Sequence, residues 1–189
     1  MLIGILAFQG DYSLHASILD KLNVKNMYVK DSKDLFACDA LIIPGGESTV
    51  ISKMIKYNNL YNHLIEYAEN HSLYGTCAGA ILMAQKLDDD IVENLKLIDV
   101  EMMRNAWGRQ IHSFTANVKL SFSKNLFKAK FIRAPKVKVV SKNIEILSEY
   151  NKEPILLRNK YHLISSFHPE LGDDMRVHEY FIKMIKSNG

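Results

Sequence analysis

The first half of the chain alternates short, continuously apolar runs with segments of helical spacing. This alternation restricts the possible folds more than any other feature. Residues 2–8 form an apolar run that predicts a strand buried on both faces. After the turn Gln9-Gly10-Asp11, Leu14, Ile18, Leu19 and Leu22 recur at helical spacing. Residues 27–29 predict a short second strand, and 40–43 a third that ends at Pro44-Gly45-Gly46. Helices are predicted over 49–56 and 60–70. A fourth strand begins at 73–74 and is broken at Gly75, and a helix is expected over 78–85. Strands alternating with helices imply crossover connections and a mainly parallel sheet.

The second half reads differently. Strands are predicted at 114–120, 130–132, 137–140, 144–147, 155–157 and 163–167, with hairpin turns at Asn151-Lys152-Glu153 and Asn159-Lys160. Residues 174–186 place Val177, Phe181, Met184 and Ile185 on one helical face, and 187–189 are expected to fray. No internal repeat or linker is evident. The expectation is one α/β domain over 1–189: a three-layer open sheet, mostly parallel, with helices on both faces and a mixed, partly antiparallel extension.

Composition narrows the function classes. Of 189 residues, 48% are apolar and 24% charged, the balance of an ordinary globule. No apolar run reaches the ~18 residues of a membrane helix. The apolar start lacks a basic leader and a cleavage pattern, so it reads as a strand and not as a signal peptide. A net charge of +3 is too mild to argue for nucleic acid. Two cysteines, Cys38 and Cys77, are too few for a disulfide framework, so a reducing cytoplasm with free thiols is expected.

One of those thiols stands in a chemical context. Gly75-Thr76-Cys77-Ala78-Gly79 has the form Gly-x-nucleophile-x-Gly between a predicted strand and a predicted helix, the setting of a nucleophile elbow. Such a turn leaves little room for side chains two residues either side, which glycine satisfies. The helix N-terminus favours a thiolate, and the Ala78 amide would point to where an oxyanion forms. A small-residue turn around a merely buried cysteine is the competing reading. Ser166-Phe167-His168-Pro169-Glu170 shifts the balance. His168 could take the thiol proton, and Glu170 could hold the imidazole tautomer. Pro44-Gly45-Gly46-Glu47-Ser48-Thr49 is not a Walker loop, because the Gly-Lys-Ser/Thr ending is missing. Its backbone N–H groups would lie at the carboxyl edge of the sheet, where one could be a second oxyanion donor. Ser48 or Thr49 could cap the next helix.

The elbow, the His168-Pro169-Glu170 end and the Pro-Gly-Gly loop together resemble a class I, triad-type glutamine amidotransferase. Finer motifs resemble the glutaminase subunit of pyridoxal 5′-phosphate synthase: Leu6-Ala7-Phe8-Gln9-Gly10, Pro44 to Thr49, Arg104-Asn105-Ala106-Trp107-Gly108-Arg109-Gln110, Phe131-Ile132-Arg133-Ala134-Pro135 and Ser166 to Leu171. They run the whole chain in order.

The resemblance implies a flavodoxin-like fold and hydrolysis of L-glutamine to glutamate and ammonia. The ammonia would be delivered to a (β/α)8-barrel synthase subunit in a hetero-oligomeric complex. It implies Cys77 as nucleophile, His168 as base and Glu170 as its orienter. The amides of Gly46 and Ala78 would form the oxyanion hole, and Gly46, Glu47, Ser48, Arg104, Ile132 and Arg133 the glutamine site. It implies no metal and no cofactor, pyridoxal 5′-phosphate being the product of the complex. A chain of this length has no room for a domain that uses ammonia, which points again to a partner. Ala106-Trp107 stands where the family usually has Ser-Phe, so a hydroxyl is lost and a larger ring gained. A glutaminase subunit serving another acceptor, such as imidazole glycerol phosphate synthase, and a cysteine peptidase on the same scaffold are the alternatives.

Other features read as structural. Asp88-Asp89-Asp90 with Glu93 is expected to be a solvated loop, not a metal site. The lysines from Lys119 to Lys142 read as the wet face of strands, Cys38 as a bystander, and His15 as packed or exposed.

Overall fold

The computed structural model describes residues 1–88, 90–104 and 113–188. Of the motif that begins at Arg104, residues 105–110, with Ala106 and Trp107, therefore lie outside the described residues, as do Asp89, Ile111, His112 and Gly189.

The first half delivers the predicted alternation: β1 (Leu2–Leu6), α1 (Tyr12–Lys21), β2 (Lys25–Val29), α2 (Ser32–Phe36), β3 (Ala40–Ile43), α3 (Ser48–Tyr57), α4 (Tyr61–Ala68), β4 (Ser72–Thr76) and α5 (Ala78–Met83). It continues into β5 (Ala84–Leu87), β6 (Ile98–Met103), β7 (Ser113–Val118), β8 (Phe127–Ile132), β9 (Lys136–Val139), β10 (Glu145–Tyr150), β11 (Glu153–Arg158) and β12 (Leu163–Ser165). A 3-10 turn at Pro169–Leu171 leads to α6 (Arg176–Asn188).

Seven strands form the main sheet in the order β10-β11-β12-β4-β3-β1-β2. The run from β12 to β2 is parallel, and β10 and β11 extend it as an antiparallel edge. β5, β6 and β9 form a small mixed sheet, and β7 and β8 an antiparallel pair.

The central strands β1 and β3 read as unbroken apolar runs because alternate side chains enter two different cores. Leu41 and Ile43 pack with α2 to α5, whereas Ala40 and Ile42 pack with α1 and α6. Period two is present but invisible in the composition, since both faces are buried. Among the described residues no helix is long and apolar enough to cross a membrane.

Several expectations need correction. β4 is not broken at Gly75; it pairs through Gly75 and Thr76 with its neighbours. The helix predicted over 78–85 stops at Met83, and Ala84 starts a strand that pairs with β6. Apolar Ala and Leu residues suit either state, and the sheet partner decides. α2 is too short to show a helical period and is not predicted; Asp31 caps it, its carboxylate accepting from Asp34 N–H at 2.9 Å. Ser187 and Asn188 do not fray. They complete α6, and the Asn188 amide donates to Lys160 O at 2.9 Å. Neither Ser48 nor Thr49 caps α3: Glu47 occupies that position, and the Thr49 hydroxyl donates to its carboxylate at 2.9 Å.

Candidate active site

In an open parallel sheet, ligand sites form beyond the carboxyl ends of the strands, where the strand order reverses. Here the chain moves one way from β1 to β2 and the other way from β1 to β3. The loops after β1 and β3 are therefore adjacent. A β-carbon on Gly10 would stand 1.7 Å from Gly45 O, so only glycine allows this approach. The Gln9 side chain bridges the same gap, its Oε1 accepting from Glu47 N–H at 2.7 Å.

Cys77 sits one strand further along, between β4 and α5. Its backbone has φ 47° and ψ −100°, a conformation that costs about 1–3 kcal/mol in a residue with a side chain. The surroundings impose it. Cys77 N–H donates to Ser165 O on β12 at 2.8 Å, and Cys77 O accepts from Ile81 N–H at 3.1 Å. Both elbow glycines are sterically required. A β-carbon on Gly75 would lie 2.6 Å from Gly79 C, and one on Gly79 would lie 2.0 Å from Ile43 O. The thiol is buried and faces Ile132 O at 3.8 Å.

The partner imidazole arrives from β12. His168 N–H donates to Lys130 O at 2.8 Å, which ties the turn to β8. His168 Nδ1 lies 2.6 Å from Glu170 Oε1, and both residues are buried. Pro169 opens the 3-10 turn that brings Glu170 back beneath the ring. Burial by itself pulls the His168 imidazole down. Hydrogen bonds to Cys77 and Glu170 and the charge on both outweigh it, pushing it up to about 10. Burial also works against the Glu170 carboxylate, but the imidazoles of His15 and His168 hold it below the ordinary carboxylate range. The arrangement is a thiol, a base turned toward it and a carboxylate that fixes the base, the parts needed for nucleophilic attack on a carbonyl.

The other predicted residues fall around this centre. Gly45 covers it: a β-carbon there would stand 2.4 Å from His168 Cε1 and 3.5 Å from Cys77 Cβ. Gly46, with φ 148°, backs onto the Gln9 amide, where any β-carbon would be 2.3 Å from Oε1. Ala78 opens α5, so its N–H has no partner within the helix. Ser48 is the buried first residue of α3. Glu47 faces the Arg104 guanidinium at 3.8 Å, and Arg104 N–H reaches both carboxylate oxygens of Asp88 at 3.2 Å. Ile132 contributes its carbonyl, and Arg133 follows it with a left-handed φ of 43° and an exposed side chain.

Four residues lie in or beside the site without being expected there. The sequence shows Gln9 only as a member of a motif, with no role of its own. His15 is fully buried beside the triad, and His178 of α6 lies behind it. Asp11 also brings its carboxylate within 4.8 Å of the ligand atoms of His168 and Glu170. Three such groups could approach a cation, but His168 and Glu170 are already bonded to each other. Of the residues set aside, Asp88 accepts from Arg104, and Lys130 and Lys136 are half-buried and bonded to Leu171 O and Glu153. Cys38 donates to Asp34 O, and burial pushes its thiol up to about 11, an inert setting.

Fold and constellation together are those of an amidotransferase. A crystal structure of a glutamine amidotransferase superposes with a TM-score of 0.92 at 35% identity, covering 97% of this chain and 98% of that one. A glutamine amidotransferase from Thermotoga maritima shares the fold at a TM-score of 0.59 and 14% identity, covering 98% of this chain and 82% of that one. The model of the SNO glutamine amidotransferase family matches residues 5–187, and the chain belongs to that family. Its relatives include the pyridoxal 5′-phosphate synthase subunit PdxT of Fervidobacterium nodosum, 44% identical over 98% of both chains. PdxT of Thermotoga maritima is 41% identical over 98% of this chain and all of that one.

Proposed function

We propose that this chain is the glutaminase subunit of a pyridoxal 5′-phosphate synthase, with all of 1–189 forming one glutaminase unit. The observation that carries the reading is the buried Cys77, held in a strained elbow and opposed by the His168–Glu170 pair.

The chemistry follows from the geometry. Cys77 Sγ attacks the side-chain amide carbon of L-glutamine as His168 takes the thiol proton. The tetrahedral oxyanion is received by the N–H groups of Ala78 and Gly46, at roughly 3 kcal/mol of barrier lowering per donor. His168 returns the proton to the departing nitrogen, and ammonia leaves. Water, activated by the same imidazole, then hydrolyses the glutamyl thioester and releases glutamate. Glu170 supports the imidazolium in both halves. Glu47, Ser48, Arg104, Ile132 and Arg133 form the glutamine-binding wall, with Arg104 and Arg133 supplying positive charge for a carboxylate.

No step calls for a metal or cofactor in this subunit; the thiol and imidazole supply both the nucleophile and the proton transfers. The ammonia goes to a barrel synthase subunit in a hetero-oligomeric complex. Two free thiols fit a cytoplasmic setting. The test is ammonia release from glutamine with and without the synthase subunit. Release that rises strongly on adding it supports the reading. No release in either condition, or release driven only by a different acceptor enzyme, overturns it.

A further inference from the structure

Against Glu170 of the triad lies a pair of further imidazoles. His15 of α1 and His178 of α6 are both fully buried, and His15 Nδ1 is 2.9 Å from His178 Nε2. The other nitrogen of His15, Nε2, faces Thr76 Oγ1 at 3.3 Å and Glu170 Oε2 at 3.6 Å. Glu170 thus has one oxygen on His168 and the other toward His15. Among the described residues, that second oxygen and His178 Nδ1 have no hydrogen-bond partner of their own.

These orphans decide the direction of the chain. Suppose His15 carried its proton on Nδ1 and donated to His178. The Nε2 lone pair of His15 would then face a carboxylate, and His178 Nδ1–H would be a buried donor with nothing to receive it, which is costly. With the protons the other way, His178 Nε2–H donates to His15 Nδ1. His15 Nε2–H then points at Glu170 and Thr76, and the one unmet group is a bare ring nitrogen. Burial outweighs the pull of Glu170 and keeps His15 below the ordinary histidine range, and burial takes His178 down to about 3, so both rings are neutral.

We propose that His15 and His178 are a positioning pair that fixes Glu170 by presenting a single N–H to its second carboxylate oxygen. The order of donors runs from His178 to His15 to Glu170, and from His168 Nδ1–H to the same carboxylate. It leaves His168 Nε2 as the atom that serves Cys77. This inference rests on the glutaminase reading for its rate measurement, but not for its tautomer measurement. The groups facing the pair are Asp11 just before α1, Tyr74 and Thr76 on β4, and His168 and Glu170 in the turn, with Tyr74 against both rings of the pair.

The test uses the chain with its synthase subunit, as wild type and as His15→Phe, His15→Gln and His178→Phe, with melting temperatures as a control. His15→Phe is expected to lower kcat roughly 10- to 100-fold, the loss typical when a group orienting another functional side chain is removed. KM should stay within about twofold, and the acid limb of the pH profile should move up by about one pH unit. That is the size expected when an N–H dipole facing a buried carboxylate is removed. His15→Gln, which keeps an N–H in reach of Glu170, should recover most of both effects, and His178→Phe should fall between. A folded His15→Phe variant with kcat within twofold of wild type and an unmoved acid limb overturns the proposal. Nitrogen NMR of histidine-labelled wild type judges it independently of activity and of whether the variants fold. His15 protonated on Nε2 supports it, and His15 protonated on Nδ1 overturns it. Absence of ammonia release from wild type would instead sink the glutaminase reading.

Discussion

A β-carbon at Gly45 would stand 2.4 Å from Cε1 of His168, so the loop after β3 touches the base directly. The imidazole is the softer partner in that contact, since the loop is locked by Gly10 and Gln9. Gly45→Ala should therefore displace His168 and leave the fold in place. The expected result is a fall in kcat of about 100-fold, the usual effect of misplacing a reacting group by about 1 Å. The melting temperature should move by no more than a few degrees. A variant with full activity would mean that His168 is not held against this loop in the working enzyme.

Glu170→Gln keeps the shape of the side chain and removes its charge. His168 is pushed up to about 10 partly by that carboxylate, so the imidazolium formed during the reaction loses support. We expect kcat to drop at least ~100-fold; the matching change in a serine triad costs about 10⁴. Steady-state kinetics decide it, and a loss below tenfold would remove Glu170 from the orienting role.

The elbow should tolerate no enlargement. Gly79→Ala puts a methyl group 2.0 Å from Ile43 O, a backbone atom of β3 that cannot swing away. A destabilisation above ~2 kcal/mol is expected in denaturant unfolding. Gly172→Ala is the matched control. Its nearest neighbours would be 3.8 Å away, and its effect should stay within about 0.5 kcal/mol.

Stability should fall on mild acidification. His162 and His178 are lowered by burial to about 4 and about 3, from 6.5 in the unfolded chain. Between those limits the unfolded state binds more protons, so their contribution is intact above pH 6.5 and is lost as pH falls toward 4 and then 3. For His162 the span corresponds to about 3 kcal/mol at about 1.4 kcal/mol per pH unit. His168 works in the opposite sense. Raised to about 10, it stabilises fully below pH 6.5 and is lost as pH rises toward 10. Melting temperatures from pH 4 to 10 should peak near pH 6.5, and a protein equally stable at pH 4.5 and 6.5 would contradict the assignment.

How much of this was legible in the sequence depends on the range of the forces involved. The elbow declared itself because a local steric demand selects glycine at 75 and 79. His168 and Glu170 declared themselves because two residues suffice to bring a carboxylate under a ring. The central strands β1 and β3 stood out as apolar runs, as burial on both faces requires. Boundaries set by distant partners did not show: Ala84 turns from helix to strand because β6 lies beside it. The His15–His178 contact spans 163 positions and has no local mark in either helix. His15 reads only as packed or exposed, and nothing in the sequence singles out His178, until the fold brings them together.

The central claim is that Cys77 carries the acyl group of glutamine. Its most direct measurement is ammonia release from glutamine by wild type and by Cys77→Ala, each assembled with the synthase subunit. Assembly should be confirmed by co-elution, and melting temperatures should match. The account predicts turnover by wild type and none above the uncatalysed background for Cys77→Ala, although both bind the partner. Glutamine hydrolysis by the alanine variant at the wild-type rate would contradict it.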